Sequence, residues 1–273
     1  MGLKALLFDV DGTLADTEAH GHLPAYNRAF RDLDLNWKWS RKLYRDLLEV
    51  PSGRERIAHY IDRYKPDFGR HDNHARKDKD DWVKAVHERK SNCFRDRLKT
   101  GQVPLREGVE RLLTQAHEAG LRIAIVTNAS SATLQPFLEF ALGPKLSGYI
   151  HTIVSGDHGC KRKPAPDIYL QACHQLDLHP WECVAIEDSA MGLEAAYAAG
   201  IPAVVTINAD TRSQDLGHAQ LVVNSLGEPG TVVRVIKSPG FELNHVDIPV
   251  LRRLQQDYIS ANAAPTSLHS STG

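Results

Sequence analysis

Leu6-Leu7-Phe8-Asp9-Val10-Asp11-Gly12-Thr13-Leu14 decides how the rest of the chain is read. The run from Leu3 to Val10 is short and apolar enough for a buried strand, with its acids only toward the end. Gly12-Thr13 stops it. Side chains on an extended backbone repeat every second residue, so Asp9 and Asp11 point the same way from one strand end. In an open parallel sheet, ligands bind at that carboxyl end. Two like charges there are unfavourable unless a cation, a proton or a phosphoryl transfer uses them. Alone, Asp-x-Asp reads equally well as a polar strand end with two solvated acids; the downstream sequence moves the reading away from that.

Residues 16–101 carry no strand signal and read as an all-helical insert. Leu23, Tyr26, Phe30 and Leu33 fall on one helix face over 18–33, and Leu43, Leu47 and Leu48 mark a second helix. Pro51-Ser52-Gly53-Arg54-Glu55-Arg56-Ile57 is a turn feeding a third, with Ser52 and Glu55 spaced as a capping box. A fourth runs from Asp80 to Leu98. The charge run Arg76–Asp81 ahead of it reads as a solvated face. Thr100–Pro104 is the return linker.

Strands then alternate with helices. Strands are expected at Arg122–Asn128, Tyr149–Val154, Cys183–Ile186, Ala203–Ile207 and Leu221–Val223. Helices are expected at Glu107–Ala119, Ser130–Leu142 (where Pro136 shifts the start), Pro166–Leu176, Ser189–Ala199 and, more weakly, Val246–Ile259. The fold class is α/β, a Rossmann-like parallel sheet covered on both faces, with an inserted helical cap. The expected domains are 1–15 (first core strand), 16–101 (cap), 102–230 (rest of the core) and 231–259 (an extension packed on the core), with a disordered tail at 260–273.

The 273 residues suffice for a core domain and a second module. A net charge of −1 leaves no footprint for nucleic acid or an anionic membrane. No apolar run approaches the roughly 20 residues that span a bilayer. Met1 leads almost directly into the first strand, so no signal peptide is expected. Cys93, Cys160, Cys173 and Cys183 show no Cys-x-x-Cys spacing, consistent with reduced thiols and a cytoplasmic protein, Cys173 and Cys183 being core fillers. A monomer is expected, with a small-molecule substrate and neither nucleic acid nor membrane as partner.

Four strand ends collect chemistry on one edge: Asp9 and Asp11; Thr127 and Asn128; Lys163 with Pro164; Glu187 and Asp188. Carboxylates without His or Cys nearby favour a hard, oxygen-seeking cation, Mg²⁺ rather than Zn²⁺. One carboxylate can attack phosphorus and a second, two residues on, can move the proton. A hydroxyl and an ammonium can hold the other phosphoryl oxygens. Each piece has a plainer reading: turn chemistry for Thr127-Asn128, a solvated Lys163, helix capping for Glu187-Asp188. Their order, each after a strand-like run, argues against all of these at once.

These residues, in this order and spacing, resemble the four motifs of the haloacid dehalogenase superfamily. The resemblance implies Asp9 as nucleophile, Asp11 as general acid/base, and Thr127 and Lys163 as phosphoryl ligands. It also implies Mg²⁺ on Asp9, Asp188 and the Asp11 carbonyl, with Glu187 supporting or joining. A helical insert after the first motif resembles the C1 cap of the subgroup containing beta-phosphoglucomutase and phosphoglycolate phosphatase. Thr13–Glu18, Leu47–Ile57, Lys163–Tyr169 and Leu226–Gly230 resemble the CbbY-type branch, which implies xylulose-1,5-bisphosphate as substrate. Ser52, Gly53 and Arg54 suit a second phosphate, with free N–H groups at a helix start and a guanidinium fork. Glu18 suits sugar hydroxyls. His22 matches a cap histidine, with His20 its rival because Gly21 is an extra residue against the family pattern. Asn128 stands where relatives carry Thr or Ser.

The expected function is an Mg²⁺-dependent phosphatase working through an aspartyl-phosphate. The alternatives are a beta-phosphoglucomutase-like mutase, a phosphoglycolate phosphatase, and a phosphate-binding module without turnover.

Overall fold

The computed structural model describes residues 2–50, 52–69 and 79–262. Seven strands form one sheet in the order β3-β2-β1-β4-β5-β6-β7. They are β1 (Ala5–Phe8), β2 (Arg122–Val126), β3 (Thr152–Val154), β4 (Cys183–Glu187), β5 (Ala203–Thr206), β6 (Leu221–Val223) and β7 (Val235–Lys237). The first six are parallel; β7 runs antiparallel to β6. β1 and β4 are buried along their whole length, which is why they read as apolar runs without alternation. The strands begin and stop within a few residues of the positions read from sequence. β3 lacks its expected first half: Tyr149 and Ile150 instead donate to Leu146 and Ser147 carbonyls.

The helices are α1 (Leu23–Asp32), α2 (Arg41–Leu47), α3 (Gly53–Tyr64), α4 (Lys79–Lys99), α5 (Val109–Glu118), α6 (Ser131–Phe137), α7 (Gly143–Ser147), α8 (Asp167–Leu176), α9 (Ala190–Ala198) and α10 (Ile248–Asn262). Ser52 caps α3, its Oγ accepting from the Glu55 N–H at 3.2 Å. Ser189 caps α9 the same way through Gly192, so capping is not the work of Glu187 or Asp188. Pro136 does not shift the start of its helix. The chain is helical from Ser131 and widens after the proline into a π-helical turn, Leu138–Leu142. A second π-helical turn, Thr17–His22, precedes α1. It contains Gly21, and a wide turn is how a helix absorbs one additional residue.

Two compact units result: Met1–Leu14, Leu105–Ser131 and Pro144–Gly273 form the sheet unit, and Ala15–Pro104 with Ala132–Gly143 the helical unit. The sheet unit is cored by aliphatic residues such as Leu7, Val126, Ile168, Leu193 and Val205, with Cys173 and Cys183 among them as free thiols, Sγ to Sγ 3.9 Å. The helical unit is cored by aromatics. Phe30 meets Trp37 and Trp39 edge-on at 5.4 and 5.1 Å, and Trp37 meets Tyr60 and Phe68 at 5.5 and 4.9 Å. Within that unit Lys99 lies over the Phe140 ring. In the sheet unit α10 is tied to the core by Gln255, which donates to the Trp181 carbonyl at 2.6 Å.

Three expectations fall partly outside the described residues: Pro51 of the turn before α3, residues 76–78 of the charge run, and 263–273 of the tail. Residues 260–262 complete α10. No helix among the described residues is long and apolar enough to cross a membrane.

Candidate active site

β1, β2 and β4 are adjacent in the sheet, so their carboxyl ends meet, and the loop after β3 reaches the same edge. Lys163, on that loop, is its hub. Its buried Nζ donates to Asp9 Oδ1 at 2.7 Å, to Glu187 Oε1 at 2.6 Å and to the Val126 carbonyl at 2.8 Å. Three acceptors use all three ammonium protons. Glu187 is fully buried. Its Oε1 also accepts from Tyr169 Oη at 2.5 Å, and its Oε2 from the Asp188 N–H at 3.3 Å. A Cβ on Gly192 would stand 2.0 Å from Glu187 Oε2, so α9 must carry a glycine where the carboxylate passes. Asp188 Oδ2 accepts from Asn208 Nδ2 at 2.7 Å. Gly12, at φ +89°, presses its backbone on the same carboxylate: a Cβ there would lie 2.1 Å from Asp188 Oδ2.

Asp9, Glu187 and Asp188 each bring a carboxylate oxygen within 4.8 Å of the others. Burial pushes the Asp9 carboxyl up to about 8; Lys163 opposes this, and Glu187 and Asp11 add to it. Burial, with Asp9 and Glu187, likewise holds Asp188 well above the carboxylate range. Burial disfavours the Lys163 ammonium, yet Asp9 and Glu187 more than offset that and raise its pKa. The cluster is short of positive charge. Three buried oxygen donors with no imidazole or thiol fit Mg²⁺.

Thr127 is buried, and its Oγ1 accepts from the Ala129 N–H at 3.1 Å. Asn128 has a use its sequence position did not suggest. Its Oδ1 accepts from the Lys163 N–H at 2.9 Å and its Nδ2 donates to the Lys163 carbonyl at 3.2 Å, so the amide clamps the lysine backbone from both sides. Asp11 is half-buried beside Asp9.

The remaining candidates lie in the helical unit. Glu18 accepts a short hydrogen bond from Tyr44 Oη. Arg56 donates to Tyr44 Oη at 3.1 Å and to the Leu47 and Val50 carbonyls at 3.0 and 3.1 Å. Arg56, which sequence reasoning passed over, is thus a buried part of the Glu18 network. The available signal was its place beside Ile57 and four residues before Tyr60, both buried on α3. Arg54 is exposed on the first turn of α3. His22 is buried, stacked on Phe94 at 4.1 Å, with Nδ1 2.9 Å from Lys90 Nζ; His20 is exposed and offers its carbonyl to Arg97. The structure therefore separates the two histidines. Gly53 admits Tyr26 and His87 to the start of α3: a Cβ there would meet Tyr26 Oη at 3.0 Å and His87 Nε2 at 3.1 Å. His87 is pushed down to about 4 by burial and by Lys90, Arg54 and His22.

Residues 3–200 match the family model for haloacid dehalogenase-like hydrolase. The plasmid-borne protein CbbY of Cupriavidus necator is 42% identical over 227 residues, covering 83% of this chain and 87% of that one. A phosphorylated carbohydrates phosphatase of Thermotoga maritima is 28% identical over 239 residues, 86% of this chain and 99% of that one. Among solved structures, mutant CbbY from Rhodobacter sphaeroides in complex with xylulose-(1,5)bisphosphate superposes with a TM-score of 0.70 at 34% identity, over 84% of this chain and 96% of that one.

Proposed function

The chain belongs to the haloacid dehalogenase-like hydrolases as a phosphoric monoester hydrolase, and from that premise we propose an Mg²⁺-dependent sugar bisphosphate phosphatase acting on xylulose-1,5-bisphosphate. One observation carries the reaction: Lys163 holds Asp9 and Glu187 together at a sheet end where Asp188 completes a buried acidic cluster. In this reading an Asp9 carboxylate oxygen attacks phosphorus, forming an acyl phosphate and expelling the sugar oxygen. Asp11 gives that oxygen its proton. Water then attacks the aspartyl-phosphate, Asp11 takes the water's proton, and inorganic phosphate leaves with Asp9 restored. Thr127 and Lys163 orient the phosphoryl oxygens. Mg²⁺, when bound by Asp9, Asp188 and the Asp11 carbonyl, neutralises charge on the phosphoryl group. Glu187 supports the site by anchoring Lys163.

The helical unit supports the substrate half of the reading. Arg54, His22, His87 and Lys90 lie close enough for three of them to depress the fourth, and α3 begins among them. The Arg54 guanidinium and the Lys90 ammonium beside a helix N-terminus suit a second phosphate. Glu18, fixed by Tyr44, suits a sugar hydroxyl. The relative solved with xylulose-(1,5)bisphosphate favours that substrate over a compact monophosphate.

The test is phosphate release with Mg²⁺ from a panel of sugar mono- and bisphosphates and phosphoglycolate. Stoichiometric release with preference for xylulose-1,5-bisphosphate is expected. Isomerisation without release would make the chain a mutase, and preference for phosphoglycolate would remove the role given to the cations.

A further inference from the structure

Arg106 is the second residue of the sheet unit after the chain first leaves the helical unit. Its guanidinium donates to four backbone carbonyls and one hydroxyl. Nη1 bonds the Gly12 carbonyl at short range, the Thr206 carbonyl at 2.8 Å and Thr206 Oγ1 at 2.9 Å. Nη2 bonds the Ile207 and Asn224 carbonyls at 2.7 and 2.8 Å. Its own N–H donates to the Leu14 carbonyl at 2.9 Å. One side chain thus staples the exits of β1, β5 and β6.

Two of those exits flank the same oxygen. Gly12, held at its carbonyl, presses on Asp188 Oδ2. Asn208, which follows the Thr206 and Ile207 carbonyls that Arg106 holds, donates to Asp188 Oδ2. The Asn208 amide cannot turn away, because its Oδ1 accepts from the Asp210 and Thr211 N–H groups at 2.8 and 3.1 Å. A Cβ on Gly12 would meet both partners at once, 2.1 Å from Asp188 Oδ2 and 2.8 Å from Asn208 Nδ2, so the three groups are packed with nothing between them.

We propose that Arg106 is a positioning residue for the Asp188 carboxylate, fixing the two backbone exits that bracket Oδ2 and so setting the carboxylate's aim at the cation. The proposal rests on the reading of Asp188 as an Mg²⁺ ligand. Arg106 touches no reacting atom. It acts through Gly12 and Asn208, as outer partners of a metal ligand do.

The test titrates Mg²⁺ into purified wild type, Arg106→Lys and Asn208→Ala, read by calorimetry and by the Mg²⁺-induced rise in melting temperature, without substrate. Lysine keeps the charge but cannot reach both exits. Each variant should need about tenfold more Mg²⁺ for half-saturation. At subsaturating Mg²⁺, kcat should fall while KM for the sugar phosphate stays within about twofold. A purely structural role would lower the melting temperature but leave the Mg²⁺ midpoint of the folded protein in place, and that result overturns the proposal. If Arg106→Lys does not fold, Asn208→Ala decides alone, a wild-type midpoint there overturning it. A wild type that binds no Mg²⁺ defeats the metal reading itself and the proposal with it. Binding by wild type and both variants alike defeats only the role of Arg106.

Discussion

At the carboxyl end of the sheet, Asp9 and Glu187 share one ammonium, Lys163, and Asp188 lies beside them. The helical unit gathers basic side chains instead: Arg54, Lys90, His22 and His87 lie near one another, and burial, with Lys90, Arg54 and His22, pushes His87 down to about 4. The buried acids of the first suit a cation, and the basic side chains of the second suit an anion. The packing differs too. The acidic cluster is held by glycines, a clamping amide and backbone contacts at fixed strand ends, whereas the basic group combines two imidazoles with the long side chains of Arg54 and Lys90. On the proposed function, precision belongs to the acidic cluster and adaptable charge to the helical unit.

The largest expected stability effect is at the hub of the acidic cluster. Lys163→Met leaves Asp9 and Glu187 buried without their cation, and should destabilise the protein by about 3–5 kcal/mol in urea unfolding at neutral pH. A loss below about 1 kcal/mol would mean that the acids are protonated and the ion pairs immaterial.

A pair of arginines two residues apart sharpens the contrast within the helical unit. Arg56→Met strips hydrogen bonds from two carbonyls and Tyr44, and should lower stability by about 1–3 kcal/mol. Arg54→Ala should leave the melting temperature in place and lower kcat/KM about tenfold on bisphosphates only. Equal losses on mono- and bisphosphates would detach Arg54 from a second phosphate.

The smallest effect is in pH. His87 has a folded pKa of about 4, below its ordinary 6.5, because burial comes first and Lys90, Arg54 and His22 add to it. Between those values the unfolded chain binds more protons than the folded one, so His87 contributes stability above 6.5 that is lost as pH falls toward 4. His87→Gln should flatten that part of the melting-temperature profile. A profile parallel to wild type would place the acid sensitivity elsewhere.

Much of the sheet unit was legible because a buried parallel strand leaves an apolar run, and Asp9, Asp11, Thr127 and Asp188 stand just past one. β7 was not. Val235–Lys237 is three residues long and exposed, and it is held as an edge by Lys237 Nζ on the Gly217 and Ala219 carbonyls. The sequence also could not reveal what polar side chains do to backbone. Asn128 reads as a substrate ligand but also clamps Lys163, and nothing in the pattern around Arg106 marks it as the staple of three strand exits. In the helical unit the element positions followed the apolar spacing, while Arg54 and Arg56 are indistinguishable by type. One is exposed and one buried only because α3 turns Arg56 toward Tyr44. His22 and His20 differ for a similar reason, since residues two apart on a helical turn face opposite sides, and His22 is the one turned inward.

Covalent capture tests the central claim most directly. Wild type mixed with xylulose-1,5-bisphosphate and Mg²⁺, quenched within a turnover and digested, should yield the peptide containing Asp9 carrying one phosphoryl group. Asp9→Asn should yield none and release no phosphate. Phosphate release by Asp9→Asn at the wild-type rate, or turnover by wild type with the phosphoryl group on another residue, would contradict the account.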